Sequence, residues 1–203
     1  MSITSVIVDD GWLANDSGIF INGIGNHSNL SNITVKCNGC AALAVTGRYD
    51  THSSHVNIRD VTVTGGNIKI GNVYSHLSVS NVKAMATVYQ NYCTDLLVYN
   101  CGSNMSITDV VVDHGRVLMI FAGSHFTIRN VIVKTPPNDT YTLQCYSIYI
   151  NGSSNSSHVK VTGIRAMAIS VTKISSNLDV DDVYIDGLFD VSENGNNITQ
   201  GRI

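Results

Sequence analysis

The run Asp113-His114-Gly115-Arg116 places a carboxylate, an imidazole and a fixed cation within four residues. A group that titrates near neutrality beside an acid and a cation is the kind of set that moves a proton. Hydrolysis of a glycosidic bond needs two carboxylates about 5 to 9.5 Å apart, one of them protonated. The chain holds a single Glu, Glu193, so any such pair must be aspartates. Asp9, Asp10 and Asp16 fall in one stretch and Asp95 closes another, so the catalytic candidates are Asp113, His114, Arg116, Asp95, Asp9 and Asp10. The same Asp-His-Gly-Arg run also reads as a solvated turn in which Gly115 supplies the bend.

Metal chemistry finds less support. Cys37-Asn38-Gly39-Cys40 resembles half of a zinc ribbon, but no second pair follows at a suitable distance. The five cysteines, odd in number and irregularly spaced, are expected to be reduced, buried thiols. Asp179-Val180-Asp181-Asp182 lacks the Gly and terminal Glu of a calcium loop. No metal or other cofactor is therefore expected.

What positions the candidates is a scaffold of β character. Charged residues make up only 13% of the 203, and Val, Ile, Thr, Ser, Asn and Gly dominate. A net charge of −3 leaves no basic stripe for a phosphate backbone, so nucleic acid is not expected as a partner. A surface rich in hydroxyls and amides suits sugars better. No apolar window approaches the roughly 18 residues of a spanning helix, and the N-terminus has no signal-peptide pattern, so no membrane insertion is expected.

An internal repeat sets the architecture. Ser28 to Val35, Val56 to Val63, Leu77 to Ala84, Met105 to Val112, Phe126 to Val133, Val159 to Ala166 and Leu178 to Ile185 share one register, and Ile3 to Val8 gives an incomplete first copy. Each copy reads as two alternating stretches around one Asn, Asp or Gly, with Ser5 there in the first. The apolar residue after that bend recurs at spacings of 27, 28, 21, 28, 21, 33 and 19. A mean near 25 with variable insertions is the signature of a solenoid coil. A third alternating stretch precedes the next copy, as in Ile19-Phe20-Ile21 and Ile148-Tyr149-Ile150. About eight coils of three short parallel strands follow, an all-β solenoid over 1–191 with a polar tail over 192–203.

Two ladders are expected along its corners. Asn26-His27, Ser54-His55, Ser75-His76, Ser103-Asn104, Ser124-His125, Ser157-His158 and Ser176-Asn177 occupy one register, which would stack their side chains about 4.8 Å apart. Asn substitutes freely for His, so packing rather than a proton relay explains this row. Asn32, Asp60, Asn81, Asp109, Asn130, Gly163 and Asp182 make the second ladder, as bend formers.

With these coils the chain resembles the right-handed parallel β-helix proteins of the pectate-lyase-like superfamily, over nearly its whole length. Segments such as Ser124-His125-Phe126-Thr127-Ile128-Arg129-Asn130-Val131 look like the coils of bacteriophage tailspikes and appendages. The resemblance implies a right-handed, single-stranded β-helix, a homotrimer on a virion or in an extracellular setting, and binding or cleavage of bacterial surface polysaccharide. A binding shaft without catalysis and a secreted glycan-transforming enzyme share the same fold. The acidic clusters and basic pairs of pectate lyases and polygalacturonases have no counterpart here, so their chemistry does not carry over.

Differences between coils concentrate before the third strand, where loops would wall a groove. Outward Phe20, Ala44, Lys69, Met119, Tyr149 and Ser170, with Trp12, Tyr89 and Tyr92 on the loops, are expected to line it. Of these, Trp12, Phe20, Lys69, Tyr89, Tyr92 and Tyr149 are the substrate-binding candidates, because sugar C–H faces pack on rings while hydroxyls bond polar neighbours. The strand pattern begins at Ile3 without room for a cap, which predicts a longer protein or ends covered by partner subunits.

Overall fold

The computed structural model describes residues 1–9, 18–48, 53–86, 94–121, 123–134, 147–192 and 194–202, with backbone only at 38–41. Among them lie fifteen strands of one sheet, and every pairing is parallel. They are β1 (Ser2–Asp9), β2 (Ile19–Ile24), β3 (Ser28–Gly47), β4 (Ser54–Gly71), β5 (Ser75–Met85), β6 (Thr94–Cys101), β7 (Met105–Asp113), β8 (Gly115–Phe121), β9 (Phe126–Lys134), β10 (Ser147–Asn151), β11 (Ser157–Ala166), β12 (Ala168–Thr172), β13 (Ser176–Ile185), β14 (Phe189–Asp190) and β15 (Asn196–Gln200). Strands pair with the element one coil away, β5 with β7 and β6 with β8, so the chain winds as a solenoid. No described helix is long and apolar enough to cross a membrane.

The repeat register is the pairing register. Ile33, Val61, Val82, Val110, Val131, Ile164 and Val183 stack one above another, each no more than 3% exposed. Burying one such side chain contributes about 1.5–3 kcal/mol, and the row repeats at every inward position. Bends carry the cost. Ser5, Asn32, Asp60, Asn81, Asp109, Asn130, Gly163 and Asp182 all take left-handed backbone, φ between 50 and 64°. So do His27, His55, His76, Asn104, His125, His158, Asn177 and Asn197. Left-handed backbone costs most L residues about 1–2 kcal/mol, which explains why Asn, Asp and His occupy both ladders.

Three sequence expectations change. The third-strand position in the coil after β5 is filled by β6, whose Leu96-Leu97-Val98 run was not among the alternating stretches. Met119 is fully buried, and Leu118 takes the outward place, paired with Leu97 and Tyr149. The expected polar tail supplies β15, which pairs with β13.

Candidate functional site

The third-strand position comprises β2, the ends of β3 and β4, and β6, β8, β10, β12 and β14. Its outer face carries three rows along the solenoid axis. The central row is Phe20, Ala44, Lys69, Leu97, Leu118, Tyr149, Ser170 and Asp190. Phe20 is 62% and Tyr149 41% exposed, and Lys69 is exposed between them. At the end of the row, Ser170 Oγ donates to Asp190 at 3.2 Å.

Beside this row, on the side where the loops enter, stand Asn67, Asp95 and Arg116. Asn67 Oδ1 accepts from the Asp95 backbone N–H at 2.8 Å. Arg116 grips Asp95 with two hydrogen bonds, Nε to Oδ1 at 2.9 Å and Nη2 to Oδ2 at 2.7 Å. This fork-on-carboxylate geometry is the strong form of the ion pair. It raises the Arg116 pKa, chiefly through the hydrogen bonds to Asp95, against the opposing effect of burial, with smaller contributions from the charges of Asp95 and Tyr149. Each Asp95 oxygen thereby accepts one hydrogen bond from Arg116.

On the other flank run Asn22, Thr46, Gly71, Tyr99, Ile120 and Asn151. Thr46 Oγ1 donates to Asn22 Oδ1 at 2.8 Å. A Cβ at Gly71 would overlap the Tyr99 ring, so this glycine lets the ring lie flat on the sheet. Ile120 is 45% exposed beside it. The Asn151 Oδ1 is buried without a hydrogen-bond partner among the described residues.

The remaining candidates are dispersed. Asp9 pairs with Lys36 at 3.1 Å on an open surface, where such pairs contribute little. Asp113 ends β7, exposed and in register with Met85 and Lys134. His114 forms the bend itself, with φ 56°, its carbonyl accepting from Thr94 and its N–H donating to the Lys134 carbonyl. The left-handed residue of that turn is thus His114, and Gly115 serves a different need, close approach to Thr94. Asp113, His114 and Arg116 follow one another round this bend, but Arg116 is committed to Asp95. Asp10, Trp12, Tyr89 and Tyr92 lie outside the described residues. The sequence names Asp95 and Arg116 separately; the register that sets Leu96 beside Val117 one coil on brings them together.

The histidine ladder is a stack of rings. Centroids of His27 and His55 are 4.6 Å apart, those of His55 and His76 4.4 Å, and those of His125 and His158 4.7 Å. Nδ1 of His55, His76 and His158 lies 3.1 Å from the Oγ of the preceding Ser. Among the described residues no three His, Cys, Asp or Glu are placed to hold a metal ion. Crowding by stacked neighbours, then the charges of His76 and His27, lower the His55 pKa below 6.5. A depressed imidazole pKa means the unfolded chain takes up the proton first, so stability falls as pH drops through about 6.5. His55→Asn keeps the ladder geometry, as Asn104 and Asn177 do. The difference in urea midpoint between about pH 7.5 and 5 is expected to shrink in this variant; an unchanged difference would show that the stack does not sense acid.

The cysteines depart from the expected reduced set. Cys37 is disulfide-bonded, whereas Cys101 is a buried free thiol whose pKa burial pushes up to about 11. A thiol so raised stays protonated and unreactive near neutral pH. Compared with known proteins, the chain matches no family model, no curated protein and no solved structure.

Proposed function

We propose that the chain is a right-handed parallel β-helix of about eight coils, of the pectate-lyase-like kind, that binds a bacterial surface polysaccharide along its third-strand face. In this reading it serves as the receptor-binding part of a trimeric virion appendage of the tailspike type. One observation carries the binding face: exposed Phe20 and Tyr149 stand in the same axial row with Lys69 between them. Five coil steps at about 4.8 Å separate the two rings by about 24 Å, which suits a chain of sugars rather than one. Rings offer flat apolar faces to sugar C–H groups, while Asn22, Asn67 and Ser170 offer hydrogen bonds to hydroxyls.

Binding is the form proposed here, with cleavage of the same polysaccharide as the alternative. Hydrolysis needs two carboxyl groups about 5 to 9.5 Å apart. Asp95 lies against Arg116, Asp9 is in an exposed pair with Lys36, Asp113 is in no described ion pair, and Asp10 lies outside the described residues. The test is retention of the chain on immobilised capsular and cell-wall polysaccharides, with reducing ends and unsaturated products assayed in parallel. Tyr149→Ala and Phe20→Ala are each expected to weaken retention about tenfold, the loss of roughly 1.4 kcal/mol of ring contact. Retention unchanged in both variants would overturn the assignment of this face. Turnover that disappears in Asp113→Asn while retention persists would replace the non-cleaving reading with the depolymerase one.

A further inference from the structure

On a different face of the solenoid, toward its C-terminal coils, the Asn/Asp ladder has a gap. Its rungs bond in pairs: Asn81 Nδ2 donates to Asp60 at 2.7 Å and Asn130 Nδ2 to Asp109 at 2.9 Å. The next rung is Gly163, with φ +64° and no side chain. A Cβ there would stand 2.6 Å from Asn130 Oδ1, so the amide leans over a space that a side chain fills elsewhere. Asp182 bounds the gap on the far side.

The outer row after this bend reads Ile132, Arg165, Tyr184 in successive coils. Arg165 is exposed and makes no ion pair or side-chain hydrogen bond among the described residues. Tyr184 is 63% exposed. Arg202 follows β15 and closes the hollow, its N–H donating to Asp181 Oδ1 at 3.0 Å and its guanidinium 3.9 Å from Asp182. Together these groups line a concavity of about 610 Å³. Arg202 already lies against Asp181 and Asp182, so Arg165 is the guanidinium of the hollow with no acidic partner among the described residues.

We propose that this hollow binds a carboxylated sugar unit. Arg165 takes the carboxylate through its planar fork, with Arg202 as the second cation. The sugar ring lies against Tyr184 and Ile132, and its hydroxyls reach Asn130 and Asp182 across the space left by Gly163. The inference does not depend on the third-strand face, on which neither Arg165 nor Tyr184 lies.

The experiment is a ¹⁵N–¹H NMR titration of the full chain with D-glucuronate, and with D-glucose, in which a neutral hydroxymethyl group replaces the carboxylate. Glucuronate is expected to shift amides around Gly163 and Tyr184 saturably, and glucose to bind at least about tenfold more weakly. Arg165→Gln should weaken glucuronate about tenfold or more, and Arg59→Gln, paired with Asp60 several coils away, should not. Gly163→Asn keeps a residue suited to left-handed backbone, and its close contact is with the movable end of Asn130, so it should fold, restore the rung and abolish binding. Equal response to glucose and glucuronate would overturn the proposal. So would glucuronate binding that survives both Arg165→Gln and Gly163→Asn in variants whose remaining amide spectra match the parent.

Discussion

Gly115→Ala is expected to destabilise the protein by about 3 kcal/mol, the upper end of what overpacking usually costs. The left-handed His114 turns the chain from β7 into β8 and presses the next backbone unit against the preceding coil. A Cβ on Gly115 would overlap the carbonyl oxygen of Thr94 and come within 2.6 Å of Val112 Cγ1. The first obstacle is backbone, so no rotamer relieves it; β8 must move away from β6. For a chain near 200 residues this corresponds to a melting temperature lower by about 6–12 °C. Gly25→Ala is the control, since a Cβ there meets nothing within 4 Å; its change should stay within about 0.5 kcal/mol. Thermal unfolding followed by circular dichroism separates the two, and a Gly115→Ala protein melting with the parent would refute the packing argument. Because Gly115 opens the strand that carries Arg116, the same substitution should also loosen the Arg116–Asp95 fork on the candidate binding face.

The coil period was legible because one side chain in each bend must tolerate left-handed backbone and every second neighbour must be apolar. Asn32 to Asp182 and His27 to Asn177 therefore announce the corners in the sequence itself. The phase of an unbroken apolar run is different. Val117-Leu118-Met119-Ile120-Phe121 and Leu96-Leu97-Val98 contain no polar alternate to mark the outward side, so periodicity alone cannot orient them. Pairing with Tyr149 and with Tyr99 decides it, placing Leu118 out and Met119 in. The same limit hid the β6 strand.

For the candidate sites, the residue types were legible and the partnerships were not. Asp95 and Arg116 are 21 residues apart, and only the coil register brings them together. Gly163 stood out as the rung without a polar side chain, yet nothing in the sequence placed Arg202 beside it, because β15 was read as tail. A solenoid makes this division general: identical rungs explain themselves as packing, and the position that breaks the series, Gly163, is where the surface opens into a hollow.

Phe126→Ala should have the largest effect of any single truncation discussed, about 3–5 kcal/mol. The ring is 2% exposed and lies on Phe121 with centroids 3.7 Å apart, so the loss combines burial, cavity and ring contact. Its backbone register sets it between Met105 of β7 and Val159 of β11. In a solenoid each coil contacts only its neighbours, and stability is a sum of local units and interfaces. Amide hydrogen exchange should therefore accelerate by about two to four orders of magnitude in β7, β9 and β11, at a factor of ten per 1.4 kcal/mol. Amides of β3 and of the start of β4 should keep their protection. Uniform acceleration in every strand would mean that the whole solenoid opens as one cooperative unit; no acceleration anywhere would mean the aromatic stack is dispensable. Local opening also has a functional consequence. Ile164, next to Gly163, stacks directly on Val131 of β9, so glucuronate binding at that hollow should be lost at temperatures where the amides of β3 are still protected.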